Sequence, residues 1–377
     1  LKILYLLNAY KDDGPGLLIN RIAAHLASHE DARVYCAALS RDGVLRESFI
    51  NKGIPTYFIG MKGFWDYPKY LALKKLLRHE PFDVLHTNLV RADIVGRLAA
   101  KEASIPVVVS TEHGIHAWAH WGKAVRALVK KCYIRTSHHA KAIIAVSDYV
   151  KSCLLAEGLP EQKVVRIHNG VDTNVYFPMT RYEKENYRNY ICDMHVTNMI
   201  GFVGNLIEMK GIQYFINALP KVFIHFPELL AIIVGEGALR KKMEEEVEKL
   251  GLHKRVKFLG HVAGLTSRLI ASLDILVQPS LTESFGLTAA EALSCEVPVV
   301  AANSGGLPEI VEDGVCGFIV PPRDSDALSD KICHLLDNPE KRKAFGTAGR
   351  QRVLSKFNIA NTAEQYLALY QNLLTSK

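Results

Sequence analysis

No apolar run in the 377 residues approaches the ~18 needed to cross a bilayer as a helix, so the sequence predicts no membrane-spanning helix. Residues 1–7 are too short for a signal peptide, lack a cleavage site and read as a first strand. Cysteine is sparse: seven, odd in number and scattered, with no spacing that suggests zinc or a disulfide framework. A reducing cytoplasm is the corresponding expectation. The first glycine turn, Asp12-Asp13-Gly14-Pro15-Gly16, lacks the third glycine of G-x-G-x-x-G, since Ile19 stands there, so a nicotinamide-dinucleotide fingerprint fails. No H-E-x-x-H occurs. His113 and His116 straddle Gly114 on an expected loop with His120 beyond, and His25 and His29 lie one turn apart on a surface helix without a third ligand. Asp324-Ser325-Asp326 has the D-x-D form but follows Pro321-Pro322 at a helix start, where Asp is the expected cap. No metal and no cofactor are expected.

Charge is present, with a net of +7. No nucleic-acid module accompanies it. Lys123, Arg126, Lys130, Lys131, Arg135 and Lys141 fall in one short stretch, with Trp118 and Trp121 just upstream. This is either a solvated helix face or an amphipathic basic helix with aromatic anchors on anionic lipid, at the inner face of a membrane.

Short apolar runs alternate with helical patterns along the whole chain. Strands are expected at 3–7, 34–39, 56–59, 83–86, 107–110 and 142–146, then at 200–203, 231–234, 256–259, 275–277, 297–301 and 317–320. Helical patterns intervene, among them 17–28, 67–79, 92–102, 147–157 and 239–250. Strands apolar on both faces, each followed by a helix, indicate parallel sheets covered on both sides. Length is consistent with two domains. Residues 179–198, polar and rich in tyrosine, read as surface linker, which places the seam near 170–195. The last helical pattern, 359–374, is long enough to return to the first domain. Two α/β domains facing a central cleft are expected, with ligands at the carboxyl ends of the strands.

The most informative stretch is 279–293. It follows a buried strand, breaks at Pro279-Ser280, and starts a helix near Phe285-Gly286. A helix start of this kind attracts phosphate. Glu291 is expected two turns in, ~8–9 Å from the start at ~1.5 Å per residue. There a carboxylate can take both hydroxyls of a ribose, with Glu283 on the far side, where a sugar would hang. Lys210, in 204–211 after the first strand of the second domain, can neutralise a leaving diphosphate. Gly235-Glu236-Gly237 is another turn at the expected cleft edge, and His113 lies past a buried strand of the first domain.

Taken together, these residues resemble the retaining glycosyltransferases of family GT4, which have the GT-B fold. The E-x7-E signature is met by Glu283 and Glu291, and Lys210-Gly211, Gly235-Glu236-Gly237, Val146-Ser147, His168-Asn169-Gly170-Val171-Asp172 and Ser304-Gly305-Gly306-Leu307-Pro308-Glu309 match in order. The resemblance implies an acceptor-binding domain at 1–175, joined by 359–377, and a nucleotide-sugar domain at 176–358. It implies that Glu291 binds the ribose and that Glu283 lies near the transferred sugar. Phe285, Gly286 and Leu287 would place N–H groups on sugar and phosphate, Lys210 would stabilise the leaving diphosphate and His113 would contact the donor sugar. Gly14 and Gly16 would close on the phosphates. The donor would be a nucleoside-diphosphate sugar, UDP-linked in the main reading, and the acceptor a lipid-linked or surface glycan such as lipopolysaccharide. A binding partner without activity, or an epimerase or phosphorylase on the same fold, are the other readings. Asn205 stands where the family has arginine, Asp13-Gly14 replaces its glycine pair, and Glu296 stands where it has glycine.

Overall fold

The computed structural model describes all residues except 115–121, 192–195, 263, 265 and 377. The chain divides into two compact units: residues 1–170 with 359–377, and residues 171–358.

The first unit is built on seven strands: β1 (Lys2–Ala9), β2 (Arg33–Arg41), β3 (Thr56–Phe58), β4 (Val84–Asn88), β5 (Val107–Glu112), β6 (Ala142–Ala145) and β7 (Val164–Arg166). They form one parallel sheet in the order β3-β2-β1-β4-β5-β6-β7. Residues 3–6 of β1 are fully buried, as strands covered on both faces require. The reversal of strand order falls between β1 and β4, where the carboxyl ends of such sheets bind ligands. The C-terminal helix Ile359–Thr375 belongs to this unit. Its Tyr370 hydroxyl lies 2.9 Å from that of Tyr5 on β1 and 2.5 Å from His86 Nδ1 on β4. Ala363, Tyr366 and Leu367 from the same helix join the core of Ile22, Leu26 and Tyr5.

The second unit repeats the plan with β8 (Asn198–Val203), β9 (Leu229–Val234), β10 (Val256–Gly260), β11 (Ile275–Gln278), β12 (Val299–Ala302) and β13 (Gly317–Val320). Its parallel sheet runs β10-β9-β8-β11-β12-β13, with the reversal between β8 and β11. Both sheets are the Rossmann-like, doubly wound type.

Three elements differ from the sequence expectation. Residues 179–198 are not plain linker: they hold the helix Arg181–Ile191. Thr180 and Glu183 form a reciprocal cap at its start, and buried Arg188 donates to Ser272 O at 2.6 Å and pairs with Asp274 at 2.8 Å. The short helix Val44–Asn51, which no named helical pattern covered, and the edge strand β7, where no strand was expected, are also present. Each is too short for its periodicity to stand out. Among the described residues, no helix is long and apolar enough to cross a membrane.

Candidate functional site

In the second unit, β11 ends at Gln278, a loop follows, and the helix Leu287–Ser294 begins after Gly286. Gly286 has φ 105°, and a Cβ there would sit 2.8 Å from Leu307 Cδ2. The loop is pinned from two sides. Gly306 N–H donates to Glu283 O at 2.9 Å, and Ser304 Oγ donates to Ser280 O at 2.6 Å. Leu281 N–H donates to Met209 O at 2.8 Å. Backbone packs on backbone at Gly305 and Gly211, where added Cβ atoms would lie 1.8 Å from Glu283 O and 1.9 Å from Pro279 O.

The result is a fixed carboxylate. Glu283 Oε2 accepts from Lys210 Nζ at 2.6 Å, from Gln278 Nε2 at 3.0 Å and from Ser280 Oγ at 3.3 Å. Lys210 comes from the 3-10 turn Glu208–Lys210, just before the helix Ile212–His225. Gln278 is a site residue that sequence reasoning missed; its signal was a polar residue closing an apolar strand. Its Oε1 is buried without a hydrogen-bond partner among the described residues, an acceptor that a ligand donor could satisfy.

Glu291 lies in the same helix but closer to its start than expected. The helix begins at Leu287, so Glu291 is four residues along, ~6 Å rather than ~8–9 Å. Phe285 packs its ring edge-on against Phe357 at 5.7 Å, so its side chain is core, and Leu287 is half-buried. Gly235 and Gly237 have a structural reason of their own. Cβ atoms there would lie 2.0 Å from Gly204 O and 2.4 Å from Leu206 O, because the turns after β8 and β9 pack backbone to backbone. Glu236 pairs with Arg240, and Asn205 is exposed.

In the first unit, Asp13 caps the helix Gly14–Ala27 by accepting from Gly16 N–H at 3.1 Å. A Cβ at Gly16 would meet Lys11 O at 2.2 Å, whereas Gly14 is exposed. His113 follows β5, and its Nε2 lies 3.0 Å from Oδ1 of buried Asn88 at the end of β4. An amide oxygen only accepts, so Nε2 carries the proton and Nδ1 is the acceptor. Burial pushes the His113 pKa down to about 4, so the ring is neutral at pH 7. Asn88 is the second site residue that the sequence did not signal.

Next to His113 in the chain, Glu112 is buried together with Asp93 and Arg97. Burial, and then the neighbouring Asp93, push Glu112 up to about 8, and burial pushes Asp93 up to about 6. Thr87 Oγ1 donates to Asp93 Oδ1 at 2.6 Å. Arg97, fully buried, donates from Nε to Ser110 Oγ at 2.8 Å and stacks over the Tyr133 ring.

The basic stretch forms the helix Lys123–Ser137. Val125 and Leu128 are exposed on it beside Lys123, Arg126 and Lys131, while Lys130 pairs with Glu157. Trp118, Trp121, His116 and His120 lie outside the described residues. His25 and His29 do acquire a third side chain, contrary to expectation. Glu364 of the C-terminal helix brings Oε1 to 2.9 Å from His29 Nε2 and 3.8 Å from His25 Nε2. Sequence separation hid it. Asp324 is a helix cap, accepting from Ala327 N–H at 2.8 Å.

Residues 13–175 match the model for Glycosyltransferase Family 4, and residues 194–352 match that for Glycosyl transferases group 1. The chain is 30% identical to an uncharacterised glycosyltransferase of Methanocaldococcus jannaschii over 78% of this chain and 77% of the relative. It is 26% identical to the Escherichia coli UDP-Gal:alpha-D-GlcNAc-diphosphoundecaprenol alpha-1,3-galactosyltransferase, over 86% of this chain and 84% of that one. The crystal structure of Anabaena HepE in complex with UDP superposes with a TM-score of 0.85 at 25% identity, covering 99% of this chain and all of that one. By these matches and by its two doubly wound parallel sheets, the chain belongs to the GT-B glycosyltransferases, enzymes that move a sugar from a nucleotide-sugar donor to an acceptor.

Proposed function

We propose that the chain is a retaining glycosyltransferase of the GT4 type that uses a UDP-sugar and needs no metal. The observation that carries this reading is the Lys210–Glu283 pair, set beside a helix start that carries Glu291. The helix start and the Lys210 ammonium would meet the diphosphate, and Glu291 would take the ribose hydroxyls. As the glycosidic bond breaks, negative charge grows on the diphosphate and positive charge on the sugar. Lys210 would stabilise the first and Glu283 the second. Neutral His113 would accept a hydrogen bond from a donor-sugar hydroxyl at Nδ1. Backbone N–H groups of Phe285, Gly286 and Leu287 would meet sugar and phosphate, and the turns at Gly14, Gly16, Asn205, Gly235 and Glu236 would line the donor.

The second unit would hold the donor and the first the acceptor, a lipid-linked or cell-surface glycan in polysaccharide or lipopolysaccharide synthesis. The relatives support the donor class: the HepE structure contains UDP and the E. coli relative is named for UDP-Gal. A cytoplasmic protein that rests on the inner membrane face through Lys123, Arg126, Lys130 and Lys131, with Trp118 and Trp121, would meet such an acceptor. The test is release of UDP from a panel of UDP-sugars by the wild type and by Lys210→Ala, with the anomeric configuration of the product read by NMR. Release that depends on Lys210, with configuration retained, supports the reading. Equal release by both proteins, or inversion, overturns it.

A further inference from the structure

At the carboxyl ends of β1 and β2, the first unit opens a cavity of about 700 Å3. Lys11, Arg41, Lys62 and Arg91 line it, with Asp12 and Asp42. Asp42 is engaged by Arg46 at 2.6 Å and by Gly43 N–H at 3.1 Å. Lys11 faces Asp13 at 3.5 Å. Among the described residues, no carboxylate forms an ion pair with Arg41, Lys62 or Arg91.

Arg91 is the most telling of the three. It is the second residue of the helix Val90–Ala103, in the first turn, where the helix's own field disfavours a cation. The preceding Leu89 has φ 72°, a strained conformation for a non-glycine residue of the kind that clusters at ligand sites. The guanidinium lies 5.4 Å over the Phe64 ring. Burial, and then the nearby Arg41, lower the Arg91 pKa. Arg41 and Arg91 line one cavity, Arg91 half-buried and neither of them in an ion pair among the described residues, an arrangement that suits an anion.

We propose that this cavity receives a phosphoryl or diphosphoryl group of the acceptor, held by Arg41, Lys62 and Arg91. The inference deepens the proposed function, in which the first unit takes the acceptor. It makes the acceptor a sugar or lipid that carries phosphate next to the hydroxyl that is glycosylated. The donor diphosphate is the competing occupant, because Gly14 and Gly16 lie on the adjoining turn.

The test titrates the full chain with n-octyl phosphate, with n-octyl glucoside as the uncharged control and UDP as the donor-side probe. The expected result is binding of octyl phosphate but not of the glucoside. Arg41→Ala and Arg91→Ala should each weaken it about tenfold or more, Arg91→Lys should weaken it less, and UDP affinity should be unchanged in all three. Arg41 is exposed, so its truncation keeps the proposal testable if Arg91→Ala fails to fold. Octyl phosphate affinity equal in wild type and Arg41→Ala, absence of binding, or displacement of the probe by UDP overturns the assignment. If UDP does not bind while octyl phosphate still does, the donor reading falls and the anion site stands.

Discussion

Lys210 Nζ lies 2.6 Å from Glu283 Oε2, joining the turn before one helix to the loop before another. Both side chains are largely withdrawn from solvent, with 27% and 12% exposure. The pair therefore does two things at once: it fixes the carboxylate, and it holds a cation close to a helix start. Lys210→Ala should lower kcat of sugar transfer by about 10²–10³. Glu283→Gln should lower kcat with little change in KM for the donor, because it would act on the developing sugar cation. Steady-state kinetics of both variants check this. A Lys210→Ala enzyme with unchanged kcat would remove the lysine from the chemistry.

Asn88 fixes which nitrogen of His113 carries the proton. Asn88→Asp places a carboxylate beside that N–H and stabilises the imidazolium, so the His113 pKa should rise from about 4 toward the ordinary value. Activity should then fall on the acidic side of neutrality, where the wild type has a neutral ring. NMR titration of His113 together with the pH–rate profile reads both effects. An unmoved pKa would contradict the assigned contact.

The buried Glu112 predicts how stability depends on pH. Its folded pKa of about 8 lies above the ordinary carboxylate value, so its contribution is complete at low pH and is lost as pH rises toward and through 8. His113, at about 4, and His86, held by burial at about 3, behave in the opposite sense. Their contribution is present above pH ~6.5 and is lost as pH falls toward 4 and 3. Asp93, at about 6, has finished titrating by neutrality. Between pH 7 and 8 Glu112 governs the net change, because Asp93 and the unfolded-state histidines have by then released most of their protons, and its contribution falls by up to about 1.4 kcal/mol per pH unit. Denaturant unfolding should show stability falling across that interval, and Glu112→Gln should flatten the decline.

Glu296, where the resemblance implies a glycine, stands at φ 58°. It is the left-handed residue that ends the helix Leu287–Ser294. Val297 N–H reaches Ala292 O at 2.9 Å and Glu296 N–H reaches Leu293 O at 3.1 Å, which is the Schellman pattern. Glycine suits this position for conformational reasons alone. Glu296→Gly should raise stability by up to about 1 kcal/mol and leave activity unchanged. A destabilised variant would mean that the Glu296 side chain contributes something its exposure does not suggest.

Most of the fold was legible because parallel strands buried on both faces leave uninterrupted apolar runs, and β11 and β13 stand out by that signal alone. The helix Arg181–Ile191 escaped because its residues are polar or tyrosine, without an aliphatic stripe, and one buried arginine anchors it; the Thr180 to Glu183 cap was the available clue. In the candidate site, the sequence singles out Glu283, Glu291 and Lys210 because strand-to-helix corners place them at fixed offsets. Gln278 and Asn88 were not, since a single amide ending a strand has no periodicity. Glu364 beside His25 and His29 was hidden by more than 330 residues of chain, a contact that only the docked C-terminal helix creates.

The central claim is that the corner after β11 holds the nucleotide, with Glu291 on the ribose. The direct test is the dissociation constant of UDP, measured calorimetrically for the wild type and for Glu291→Ala of verified fold. Loss of hydrogen bonds to a charged group is worth about 1.5–3 kcal/mol, so the account predicts affinity weakened about 10- to 100-fold. Equal affinity in the two proteins would contradict it.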